Sequence, residues 1–85
     1  MTITFMDSAF DAFNEWIDTD KKIFKKIRAL LKDIKRTPFE ELGKPEPLKH
    51  NLSGYWSRHI TEEHRLVYKI ENNAIIIVSC KYHYE

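Results

Sequence analysis

The sequence predicts an α+β domain: a short N-terminal strand, two helices, then three or four antiparallel strands forming a sheet with the helices packed on one face. Three observations predict it. Apolar residues recur at helical spacing through the first half of the chain. All three prolines fall between residues 38 and 47, and after Leu52 the texture changes to aromatic and β-branched residues broken by short turn signals. At 85 residues, the expected organisation is a single domain, 1–85, around one modest core.

Ile3 and Phe5 alternate with Thr2 and Thr4, the period of a short strand, and Asp7-Ser8 then offers a helix N-cap. Phe10, Phe13, Trp16 and Ile17 recur at three- and four-residue spacing, which draws the apolar face of a first helix. Thr19-Asp20 offers a second cap. Beyond it Ile23, Phe24, Ile27, Leu30, Leu31 and Ile34 form a core-facing stripe among basic residues. This helix should stop near Thr37, because Pro38 disfavours helical geometry in the residue before it. Pro38 to His50 shows neither helical nor strand period and reads as an ordered loop. Turns are expected at Ile60 to His64 and at Glu71-Asn72-Asn73. Between them Leu66, Tyr68 and Ile70 should face one side of a strand, with Arg65, Val67 and Lys69 on the other. Ala74 to Val78 is nearly continuous in apolar residues, as for a central strand covered on both faces.

Composition excludes several classes. Apolar residues make up 42% and charged residues 32%, which suits a packed globule rather than a disordered or membrane protein. No apolar run approaches the roughly 18 residues of a spanning helix, and the first ten residues lack a basic region before an apolar stretch. A cytoplasmic location without membrane contact is therefore expected, and the lone Cys80 reads as a small buried side chain rather than a disulfide partner. The net charge is only +1, but it is segregated. Residues 1–20 hold five acids and no Lys or Arg, whereas residues 21–36 hold eight basic residues against Asp33 alone. Such a stripe is either a solvated helix face or a surface for phosphate backbones.

The histidines and the cysteine show no zinc-binding spacing, and His59 and His64 straddle a predicted turn. No metal site and no cofactor are expected. Ser53, Ser57 and Ser79 have no nucleophile-elbow context, and two glycines cannot build a phosphate loop. What remains suits the cutting of RNA without a metal. RNA carries its own nucleophile, the 2′-hydroxyl, so an enzyme needs a base, cations for the crowded phosphate and an acid for the leaving oxygen. Glu46 and Lys49 in the loop, Arg58, His59 and Arg65 in the middle strands, and His83 with Tyr82 and Tyr84 at the end supply those chemistries. Taken singly, each also has an ordinary account as a solvated or sheet-covering side chain.

The stretch RTPFEELGKPEPLKHNLSGYWSRHITEEHRLVY, from Arg36 to Tyr68, closely resembles the YoeB-type toxins of the RelE superfamily. So do DTDKKIFKKIRALLKD before it and the ending SCKYHYE. The resemblance spans essentially the whole chain and implies a RelE-like toxin fold. It implies an endoribonuclease that cleaves messenger RNA in the ribosomal A site, with Glu46 as general base, His83 as general acid and Arg65 stabilising the transition-state charge. Lys49, His59 and Tyr84 would contact RNA. Implied partners are the ribosome with its message and a YefM-like antitoxin that blocks this surface, and homodimerisation is left open. The family usually has two arginines where this chain has Arg58-His59. Strand neighbours face opposite sides, so only one of the pair can line the site; the family favours position 59, where a histidine is cationic only part of the time near neutral pH. Two other readings stand beside this one. A catalytically inactive antitoxin- or RNA-binding module of the same fold is opposed by the intact set Glu46, Lys49, Arg65, His83 and Tyr84. A DNA-binding domain is opposed by the lack of a helix-turn-helix pattern.

Overall fold

The structure, a computed structural model, describes residues 1–39 and 44–82. Strand β1 (Thr2–Phe5) leads into helices α1 (Asp7–Thr19) and α2 (Lys21–Arg36). Strands β2 (Glu46–Pro47), β3 (Trp56–His59), β4 (Arg65–Glu71) and β5 (Ala74–Ser79) follow, with a single 3₁₀ turn at His50–Leu52 between β2 and β3. The strands form one sheet in the order β1-β5-β4-β3-β2. The last four pair antiparallel as expected, while β1 runs parallel to β5 and makes the sheet mixed. Parallel neighbours need a long crossover; here the rest of the fold lies between them in sequence, so no local pattern reveals the pairing.

Helix α2 follows its sequence closely. Asp20 Oδ1 accepts the backbone N–H groups of Lys22 and Ile23, satisfying two donors the first turn leaves open. Ile23, Ile27, Leu30, Leu31 and Ile34 are buried, and Phe24 packs beside them. The helix ends at Arg36, where the Thr37 N–H bonds the Asp33 carbonyl just before Pro38. Lys35 and Arg36 in its last turn oppose the partial negative charge of the helix C-terminus.

Helix α1 departs from expectation. Its N-cap is Met6, which makes no side-chain cap, and Asp7 instead lies in the first turn, where its charge meets the positive end of the helix. The buried face runs through Ala9 and Trp16, with Ala12 and Phe13 half-buried, whereas Phe10 and Ile17 remain 51% and 44% exposed. Both faces fit helical spacing, and the small alanines that let the helix approach the sheet carry no weight in a hydrophobic count. Phe13 stacks between Phe5 and Phe24 at 5.0 and 4.8 Å, joining β1, α1 and α2.

Both turns form where expected. Asn72 and Asn73 adopt positive φ, 50° and 58°, the geometry a two-residue hairpin between β4 and β5 demands and asparagine tolerates. Strand β4 alternates as its sequence predicts, with Leu66, Tyr68 and Ile70 in or against the core and Arg65, Val67 and Lys69 on the opposite face. Strand β5 is interior to the sheet, but only one of its faces is fully covered: Ile75 and Ile77 are buried, while Ile76 is half-buried. A register shift opposite Val67 and Tyr68 leaves Val78 as the extra residue of a bulge. The helices thus pack on one sheet face; on the other, Val67 is buried while Arg65, Lys69 and Ile76 stay partly exposed.

Candidate active site

Register decides which polar residues share that open face. Glu46 pairs with Ser57, Ser57 with Val67, and His59 with Arg65. Directly paired residues project to the same side of a sheet, and strand neighbours two apart do likewise. Glu46, Ser57, His59 and Arg65 therefore lie together, and Trp56, Arg58, Leu66 and Tyr68 face the helices. The edge strand β2 falls in the stretch whose sequence reads as loop. It is only two residues long and contains Pro47, which a sheet edge accommodates because no ladder donor is needed there.

On this face the Nε2 atom of His59 lies 3.8 Å from Glu46 Oε1. The Arg65 guanidinium is held by turn carbonyls: its Nη1 donates to Thr61, Glu62 and His64 oxygens at 2.6, 3.1 and 3.1 Å. Those bonds hold a flexible cation in one place, the kind of preorganisation that lowers the entropy cost of a contact. Further along the face Lys69 Nζ bonds Glu71 at 3.2 Å and sits 5.4 Å from the Tyr55 ring; the Glu71 carboxylate beside it holds its ammonium pKa above the usual lysine value. Lys49 is exposed at the head of the 3₁₀ turn, where its carbonyl accepts the Leu52 N–H. His83 and Tyr84 lie outside the described residues. The chain leading to them ends against the site strand, since the Tyr82 carbonyl accepts the Arg65 N–H at 3.0 Å.

Arg58, a candidate in the same sequence pair as His59, has another task. It is completely buried, donating through Nη1 to Asp33, through Nη2 to the Thr37 carbonyl at 2.7 Å and through Nε to Tyr68 Oη at 3.2 Å. Tyr68 donates its own hydroxyl hydrogen to the Pro38 carbonyl at 2.6 Å, and Asp33 also receives Arg36 at 2.7 Å. Burial pushes the Tyr68 phenol above its ordinary pKa, so it stays a donor. This network ties the end of α2 and the start of the following loop to β3 and β4. The sequence carries a signal for it, since Asp33 falls on the apolar stripe of α2, where an unpaired acid would be costly.

Among the described residues no three His, Cys, Asp or Glu side chains come together as a metal site. No helix of the described chain is long and apolar enough to cross a membrane. A carboxylate, an imidazole and a guanidinium share this sheet face, a set of groups chemically suited to a phosphodiester.

The comparisons with known proteins agree with this fold. A family model described as the YoeB-like toxin of bacterial type II toxin-antitoxin systems matches residues 5–84. Toxin YoeB of Escherichia coli K12 is 56% identical over 84 residues, covering 99% of this chain and all of that protein. Among solved structures, the YoeB/ParE toxin from Agrobacterium tumefaciens superposes with a TM-score of 0.96 at 43% identity, covering 99% of this chain and 100% of that one. YoeB of Staphylococcus aureus in a YoeB-YefM complex gives 0.91 at 52% identity, and the same organism's YoeB dimer gives 0.92 at 53%, each covering 99% of this chain and 98% of that one. With the family model matching residues 5–84 and a relative more than half identical, the chain belongs to the YoeB-like toxins of bacterial type II toxin-antitoxin systems.

Proposed function

We propose that this toxin is a metal-independent endoribonuclease that cleaves messenger RNA in the ribosomal A site and so inhibits translation. The observation that carries the reading is the convergence of Glu46, His59 and Arg65 on one sheet face, with the His59 imidazole 3.8 Å from the Glu46 carboxylate and Arg65 directly across the strand pair. Glu46 takes the proton of the 2′-hydroxyl, whose oxygen then attacks phosphorus. Arg65 stabilises the charge that builds on the phosphoryl oxygens, and His83 gives a proton to the departing 5′-oxygen, leaving a 2′,3′-cyclic phosphate. Lys49 adds positive field, and His59 and Tyr84 contact the RNA. A base, an acid and fixed cations complete this chemistry without a bound ion.

Because the Staphylococcus aureus relative was solved with YefM and also as a dimer, we infer a YefM-like antitoxin as the partner here and a homodimer as a second assembly. The basic face of α2 supplies Lys21, Lys22 and Lys25 in exposed positions, suited to contact with ribosomal RNA.

The test is expression with and without His83→Gln, followed by mapping of RNA ends on arrested ribosomes. Toxicity from the unsubstituted protein, ends bearing a cyclic phosphate, and cleavage lowered by about 10²–10⁴-fold in the variant support the reading. A folded variant with full cleavage sinks the acid role, and an unsubstituted toxin that never cuts message points to the inactive binding module instead.

A further inference from the structure

We propose that His64 is a positioning residue: its imidazole grips the backbone of Tyr82 and so sets the exit of the chain toward His83. This rests on the reading of His83 as the general acid. His64 ends the turn between β3 and β4 and is only 6% exposed. It neighbours Arg65 but projects the other way, with its ring edge-on to Trp16 of α1 at 4.9 Å. Its Nδ1 accepts the Tyr82 N–H at 2.8 Å, and its Nε2 lies 3.3 Å from Glu63 Oε1. A neutral imidazole has one acceptor and one donor. Acceptance at Nδ1 therefore requires the proton on Nε2, toward the Glu63 carboxylate.

Both backbone groups of Tyr82 are then held by consecutive residues, its N–H by the His64 side chain and its carbonyl by the Arg65 N–H. Tyr82 has φ of 60°, a left-handed conformation that a bulky L residue keeps only where its surroundings hold it. Upstream, the Cys80 carbonyl accepts Trp16 Nε1 at 3.1 Å, so the tail is pinned to α1 before it reaches Tyr82. A cavity of about 230 Å³ lined by Glu15, Trp16, Thr19, Glu63, His64 and Lys81 lies beside this grip. The directional bond from His64 is what holds the Tyr82 backbone in one path beside that cavity. His64 and Arg65 then divide the work: one fixes the Tyr82 backbone that precedes His83 in the chain, and the other, under the proposed function, meets the substrate.

Two substitutions of similar polarity separate this role from simple packing. His64→Asn keeps an acceptor where Nδ1 sits, and His64→Gln moves it to the place of Nε2. Hydrogen exchange of the Tyr82 amide in the free intact protein should quicken by about tenfold or more in the Gln variant and stay within about threefold of the parent in the Asn variant. Single-turnover cleavage of ribosome-bound message should fall about 10- to 100-fold in the Gln variant, with ribosome affinity unchanged, and recover in the Asn variant. Nitrogen NMR of the unsubstituted protein should find the imidazole proton on Nε2, a readout that stands even if a variant fails to fold. A proton on Nδ1, equal Tyr82 exchange in both variants, or equal cleavage by both would overturn the proposal. If His83→Gln cleaves normally while Tyr82 exchange still follows residue 64, the acid assignment falls and takes the catalytic half of the proposal with it, and the grip itself stands.

Discussion

Arg58 and His59 are adjacent basic residues on one short strand, yet they belong to different parts of the molecule. Arg58 faces the helices, fully buried, and bonds to Asp33, Thr37 and Tyr68. His59 faces the open side, partly exposed, with Glu46 as its neighbour at 3.8 Å. Alternation along a strand makes this separation unavoidable. On the closed face a cation neutralises a buried acid and binds loop to sheet; on the other face, under the proposed function, basic side chains meet a phosphate.

The largest expected effect comes from breaking the closed side. Arg58→Met leaves Asp33 without one of its cationic partners and should lower stability by about 3–5 kcal/mol, since removing one member of a buried pair takes compensating charge from the other. His59→Ala should change stability by no more than about 0.5 kcal/mol, as an exposed substitution does. Urea unfolding followed by tryptophan fluorescence reads both; similar losses in the two variants would erase the distinction between the faces.

Cys80 probes the closed side from the tail. It is fully buried with its Sγ 3.5 Å from the Ala9 carbonyl, and burial pushes its thiol up to about 11 from an ordinary value near 9.0. At pH 8 its reaction with a thiol reagent should be slower than that of the unfolded chain by on the order of a hundredfold, because thiolate is the reactive form. The folded value lies above the unfolded one, so the linked stability is fully present below pH 9 and is lost as pH rises through 11. Fast labelling of the native protein at pH 8 would show the tail to be loosely packed.

A smaller effect sharpens the open side. A guanidinium offers a planar fork of donors to a phosphate, which an imidazole does not, so under the proposed function His59→Arg should raise cleavage of ribosome-bound message by about 3- to 10-fold. Unchanged or lower cleavage would show that this side chain does not meet the phosphate.

Much of this division is legible in the amino-acid sequence. The α2 stripe, the Asp20 cap, the Asn72-Asn73 turn and the alternation of β4 are local signals, and local signals dominate where the packing agrees with them. Alternation also requires that Arg58 and His59 part company. Which of them faces the helices depends on the pairing of β3 with β4, and Glu46 joins the site through a two-residue edge strand that the surrounding prolines conceal. Phe10 and Ile17 depart from expectation because a large apolar side chain is not thereby a buried one. His64 escapes a pattern search because a histidine weighed only as a metal ligand leaves its hydrogen bonds uncounted, and its partner, Tyr82, is 18 residues away.

The claim that the open face performs the chemistry is tested most directly by Glu46→Gln, measured for cleavage of ribosome-bound message and for unfolding on the same preparation. Cleavage should fall by about 10²–10⁴-fold while the urea midpoint stays where it was, because an exposed carboxylate supports little of the fold. Undiminished cleavage, with ends still bearing a cyclic phosphate, would contradict it.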